Sequence, residues 1–91
     1  MNVELLTQMA NDIGHFFAAE ARREDAVAGI AGHIQRYWEP RMRRQILAHL
    51  SAGGAGLDEL VREALGRVTA PPLPAAPAGQ SVVGAPKQSA L

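Results

Sequence analysis

Apolar residues recur at three- and four-residue steps in four separate stretches, each of which reads as one face of an amphipathic helix. Leu6, Met9, Ala10, Ile13 and Phe17 predict a helix over residues 3 to 18, with Asn2 as its N-cap and Glu4 in its first turn. The charged stretch from Glu20 to Asp25 lacks that period and reads as a turn. Val27, Ile30, Ala31 and Ile34 then predict a second helix from about residue 24 to 37. Pro40 has no N–H to donate and disfavours helical backbone at Glu39, yet its fixed φ suits the first position of a new helix. A bend at Trp38-Glu39-Pro40 and a third helix from Pro40 to about residue 50, carrying Ile46, Leu47 and Leu50 inward, are therefore expected. The glycine-rich residues 51 to 56 stop it. Leu57, Leu60, Val61, Ala64, Leu65 and Val68 mark a fourth helix, with Asp58 and Glu59 in its first turn and Arg67 in its last. The fold class is all-α: a small bundle of about four short helices over residues 1–69, followed by a Pro/Ala-rich tail over residues 70–91, extended or disordered.

Two details qualify the helical pattern. Gly29 and Gly32 interrupt the second helix, and each costs roughly 1 kcal/mol relative to alanine. Either another backbone, from the first helix or a partner, approaches closely there, or the glycines are tolerated as mildly destabilising residues. Phe16 and Phe17 are adjacent and cannot both point inward from a regular helix. One packs inside and the other is left to meet a partner.

Composition narrows the chemistry. Nine Lys and Arg balance nine Asp and Glu, so a general attraction to nucleic acid or to an anionic membrane is not supported. Absence of cysteine excludes a disulfide framework, a thiolate zinc site, a cysteine-ligated iron–sulfur cluster and a thiol nucleophile. The opening MNVELLTQMAND lacks a basic leader and an apolar segment, and no uncharged apolar run is long enough to span a bilayer. A cytoplasmic chain without membrane contact is the expectation.

Candidate sites are few. Asp12 and His15 stand one helical turn apart, but two ligands without a third make a weak metal motif. The histidines at 15, 33 and 49 are far apart in sequence, and no nucleophile, base and orienting acid assemble from motifs. Residues 51 to 56 are not a phosphate loop, because no Lys-Ser or Lys-Thr pair follows them into a helix. The bend holds four of the nine basic side chains, Arg36, Arg41, Arg43 and Arg44, with Trp38 among them. Tryptophan and arginine at an exposed bend are what protein interfaces favour, although core packing also accounts for a lone tryptophan. A DNA-binding helix-turn-helix is the competing reading, and the neutral charge with Glu39 inside the cluster weighs against it.

The middle of the chain, Gly29-Ile30-Ala31-x-His33-Ile34-x-Arg36-x-Trp38-x-Pro40-Arg41-Met42-Arg43, resembles the most distinctive segment of the delta subunit of cytoplasmic, NAD-dependent, molybdenum- or tungsten-containing formate dehydrogenases. Leu6-x-x-Met9-Ala10-Asn11-x-Ile13-Gly14-x-Phe16-Phe17 before it, and Leu47-x-His49-Leu50 with Leu57-x-x-Leu60-Val61 after it, continue the resemblance over residues 1 to 68. The resemblance implies a non-catalytic subunit that holds no cofactor itself. It implies alpha, beta and gamma subunits carrying molybdopterin guanine dinucleotide, iron–sulfur clusters and FMN, which pass electrons from formate to NAD. Docking on the large alpha subunit, as a permanent component or as a transient assembly and cofactor-insertion factor, is the implied role. Joined to the bend, this makes His33, Arg36, Trp38, Pro40, Arg41, Met42 and Arg43 the candidate partner interface.

Overall fold

The computed structural model describes residues 2–72, and the expected tail beyond Pro72 lies outside the described residues. Four helices follow in order: α1 Val3–Phe17, α2 Arg23–Tyr37, α3 Pro40–Ser51 and α4 Glu59–Leu65, with no strand among the described residues. At the start of α1 the Asn2 side chain accepts the Glu4 N–H at 2.7 Å, satisfying one of the donors a helix start leaves free. Trp38 and Glu39 both take extended backbone between α2 and α3, and Pro40 opens α3. The bend is thus the one the proline dictates.

The first, second and third helices match their expected spans to within a residue. The fourth is shorter than its apolar period. Leu57 and Val68 are buried but lie outside α4, whose start is set by Asp58 and whose end is set by Gly66, the N–H of which closes on the Arg62 and Glu63 carbonyls. Arg67 therefore sits past the last turn and forks onto both Glu24 oxygens of α2 at 2.7 and 2.8 Å. The hydrogen bond and the charge of Arg67 hold the Glu24 carboxyl below its ordinary range.

α2 is the central element and packs against α4 and α1, while α1 also touches α3. Leu6 of α1, Val27, Ile30 and Ile34 of α2, Ile46 of α3, and Val61 and Leu65 of α4 are fully buried, and each contributes roughly 1.5–3 kcal/mol of apolar burial. The loop between α3 and α4 turns through Gly53, Gly54 and Gly56, all at positive φ. Asn11 of α1 fixes it from beneath, donating to the Gly56 carbonyl at 2.8 Å and accepting the Asp58 N–H at 2.9 Å. No helix among the described residues is long and apolar enough to cross a membrane.

The two glycines of α2 separate. A Cβ on Gly29 would overlap the edge of the Phe17 ring, whereas one on Gly32 would meet nothing within 4 Å. Close approach at Gly29 is by a side chain of α1, not by a backbone, and Gly32 is the tolerated residue. Gly32→Ala should accordingly stabilise the fold by about 0.4–1 kcal/mol. Gly29→Ala should destabilise it by about 1–3 kcal/mol through overpacking. Urea denaturation of the two variants beside wild type checks both signs.

Candidate partner-binding surface

Four arginines enter the bend with similar sequence surroundings, yet the fold gives them different tasks. Arg43 reaches back across it, its Nη1 donating to the Trp38 carbonyl at 2.7 Å and the Gln35 carbonyl at 3.1 Å, and its Nε to the Thr69 carbonyl at 2.9 Å. Two of those acceptors lie at the C-terminal end of α2, where a cation is favoured by the free carbonyls and the helix dipole. Arg44 donates from Nη1 to the Pro71 carbonyl at 3.1 Å. The Thr69 N–H meanwhile donates to Gln35 Oε1 at 2.8 Å. Residues 69 to 71 are thereby strapped across α2 and α3 by the chain's own arginines.

Arg36 and Arg41 differ. Both are exposed, and among the described residues the ion pairs are His15–Asp58, Arg22–Asp25, Arg23–Glu63 and Arg67–Glu24, so neither has a carboxylate partner. Arg36 instead sits over the Tyr37 ring, 5.9 Å from its centre. Arg41 borders a shallow groove of about 250 Å³ along α3 with Arg44, Gln45 and Ala48.

Trp38 corrects the expectation of an exposed tryptophan. It is 5% exposed and belongs to the hydrophobic core, because extended backbone at residues 38 and 39 turns its indole beneath the bend. Met42 packs half-buried against the same core, and Pro40 is exposed. Of the seven expected interface residues, Arg36, Pro40 and Arg41 face outward, His33 and Met42 are half-buried, and Trp38 and Arg43 hold the bend together.

An aromatic run adjoins these residues. Phe16 meets Phe17 edge-on at 5.0 Å, Phe17 meets His33 at 6.3 Å, and His33 leans on Tyr37 at 4.9 Å between ring centres. Phe16 and Phe17 divide as adjacent helical residues must, one 76% exposed and the other packed against the core. The run as a whole escaped the sequence reading. Its signal is the four-residue step Gly29, His33, Tyr37, which lays one stripe of α2 against the end of α1.

The other histidines serve the loop before α4. His15 Nε2 lies 3.1 Å from Asp58 Oδ2, and His49 Nε2 lies 2.8 Å from the Ala55 carbonyl. His15 thus turns to Asp58 and not to Asp12. Among the described residues no three His, Cys, Asp or Glu side chains converge to hold a metal.

Residues 5–65 match the model of a protein family described as NADH-dependant formate dehydrogenase delta subunit FdsD. The chain belongs to this family. No curated protein and no solved structure matches it significantly. The FdsD match runs from Leu5 in α1 to Leu65, the last residue of α4, and so takes in the bend and the aromatic run while stopping short of the strap.

Proposed function

We propose that this chain is the non-catalytic delta subunit of an NAD-dependent formate dehydrogenase, in which it docks on and stabilises the large molybdenum-containing catalytic subunit. Its membership of the FdsD family over all four helices carries this reading. The composition agrees with it: a chain without cysteine has no ligand for an iron–sulfur cluster of the usual kind. Molybdopterin guanine dinucleotide, iron–sulfur clusters and FMN then belong to the alpha, beta and gamma subunits of a cytoplasmic complex, and this chain contributes contact area. Exposed Arg36 and Arg41, without carboxylates of their own, suit a partner that brings them. Binding such a partner stabilises a small core by mass action.

The test is co-expression of the other subunits with and without this chain. With it, the purified enzyme should contain the chain in fixed stoichiometry. Without it, the half-life of formate oxidation on warming should shorten while turnover per molybdenum stays the same. Recovery of the chain only with a metal-free large subunit would replace this role with that of a transient assembly factor, and recovery with no subunit would end the docking reading.

A further inference from the structure

Two large aromatic side chains on the α1–α2 seam are left in water: Phe16 is 76% exposed and Tyr37 66%. A single exposed aromatic is ordinary, but these two belong to one stack of rings. Beside them lies a groove of about 340 Å³, walled by Ile13, Phe16, Phe17 and His33 with Asp12 at its margin. Gly29 leaves room for the Phe17 ring of that wall, since a Cβ there would overlap it. At the Tyr37 end of the run, Arg36 lies over the ring with no carboxylate partner among the described residues. Glu24 is paired with Arg67, Glu63 with Arg23 and Asp58 with His15, while Asp12 at the groove and Glu39, three residues beyond Arg36, are in no ion pair among the described residues.

We infer that this aromatic run is a docking seat for a segment of another formate dehydrogenase subunit, one that puts a bulky apolar side chain into the groove and a carboxylate onto Arg36. The inference rests on the docking reading above and adds the face and the chemistry of the partner. Aromatic residues joined to an arginine are the composition of interface hot spots. The groove's carbon walls select an apolar plug, and the Arg36 guanidinium, without a carboxylate of its own, offers a fork for bidentate pairing. A second copy of this chain fits less well, because a two-fold contact sets both Arg36 cations at one interface. Membership of a delta-subunit family also points to a different chain as the occupant.

The experiment titrates the full-length chain against formate dehydrogenase prepared without it. Phe16→Ser combined with Tyr37→Ser should keep the helical circular dichroism of wild type and a cooperative melt with a midpoint only slightly lowered. Both side chains are mostly in solvent, and what each gives up is contact with a neighbouring ring. Its affinity should fall roughly tenfold or more. Arg36→Glu should do likewise, whereas Leu5→Ser, at an exposed apolar position outside the groove, should bind as wild type. Hydrogen exchange on the complex should slow in residues 12–17 and 33–37. Equal binding by wild type and the double variant would overturn the inference and leave the docking reading intact. Failure of wild type to bind any subunit would remove both. Self-association that the double variant abolishes, with enzyme affinity unchanged, would assign the seat to a second copy and overturn the inference as well.

Discussion

Trp38→Ala is expected to unfold much of the helical domain, lowering its stability by about 3–5 kcal/mol. The indole is 5% exposed and belongs to the one buried cluster to which all four helices contribute, among them Leu6, Ile34, Ile46 and Val61. A core of this size rarely supplies more than about 3–5 kcal/mol, so the loss is comparable to the whole. Relaxation around the cavity is limited, because the backbone on both sides of Trp38 is fixed by Pro40 and by the Arg43 hydrogen bonds. Urea denaturation followed by far-ultraviolet circular dichroism measures it. Trp38→Phe, which keeps most of the apolar volume, should recover a large share of the stability. An unchanged midpoint for Trp38→Ala would mean that the indole is not part of the core. The consequence for function is that loss of a partner in this variant reports an unfolded chain, so it cannot serve as the test of the interface; Arg36, Phe16 and Tyr37 can.

The helices were legible because each carries a periodic apolar face bounded by residues with fixed backbone preferences: Asn2 at one end of α1, Pro40 at the start of α3 and the glycines before α4. Where the reading overran, at α4, the apolar period continued through Leu57 and Val68, which are buried from loops. Burial has a period in sequence whether or not the backbone is helical. The site was less legible for a related reason. Sequence proximity placed Trp38 among four arginines and suggested one exposed cluster, but two extended residues turn the tryptophan in and send Arg43 and Arg44 to carbonyls around residues 35 to 38 and 69 to 71. Those carbonyls have no signature in side-chain types. The partnership of Asn11 with the loop before α4 spans 45 and 47 residues and was equally invisible. Adjacent Phe16 and Phe17, by contrast, were divided correctly from helix geometry alone.

Arg43 and Arg41 should therefore respond oppositely to truncation, although they are two residues apart on one helix. Arg43→Ala removes donors from the Gln35, Trp38 and Thr69 carbonyls at 3.1, 2.7 and 2.9 Å. Charged donors to neutral acceptors contribute about 1.5–3 kcal/mol each when sheltered, but water can replace much of this where the carbonyls are open, so the expected loss is about 1–3 kcal/mol in total. Arg43→Lys should recover only part of it, since one ammonium cannot reproduce a planar fork that serves three carbonyls. Arg41→Ala removes no ion pair or hydrogen bond within the described residues and should leave stability within about 0.5 kcal/mol of wild type. Its effect should fall on docking, as slower association with the enzyme that added salt imitates in the wild-type chain. Urea midpoints and association rates for the three variants decide the matter. A stable Arg43→Ala would dissolve the clamp across the bend, and an Arg41→Ala that associates at the wild-type rate would confine the partner's carboxylates to the Arg36 side.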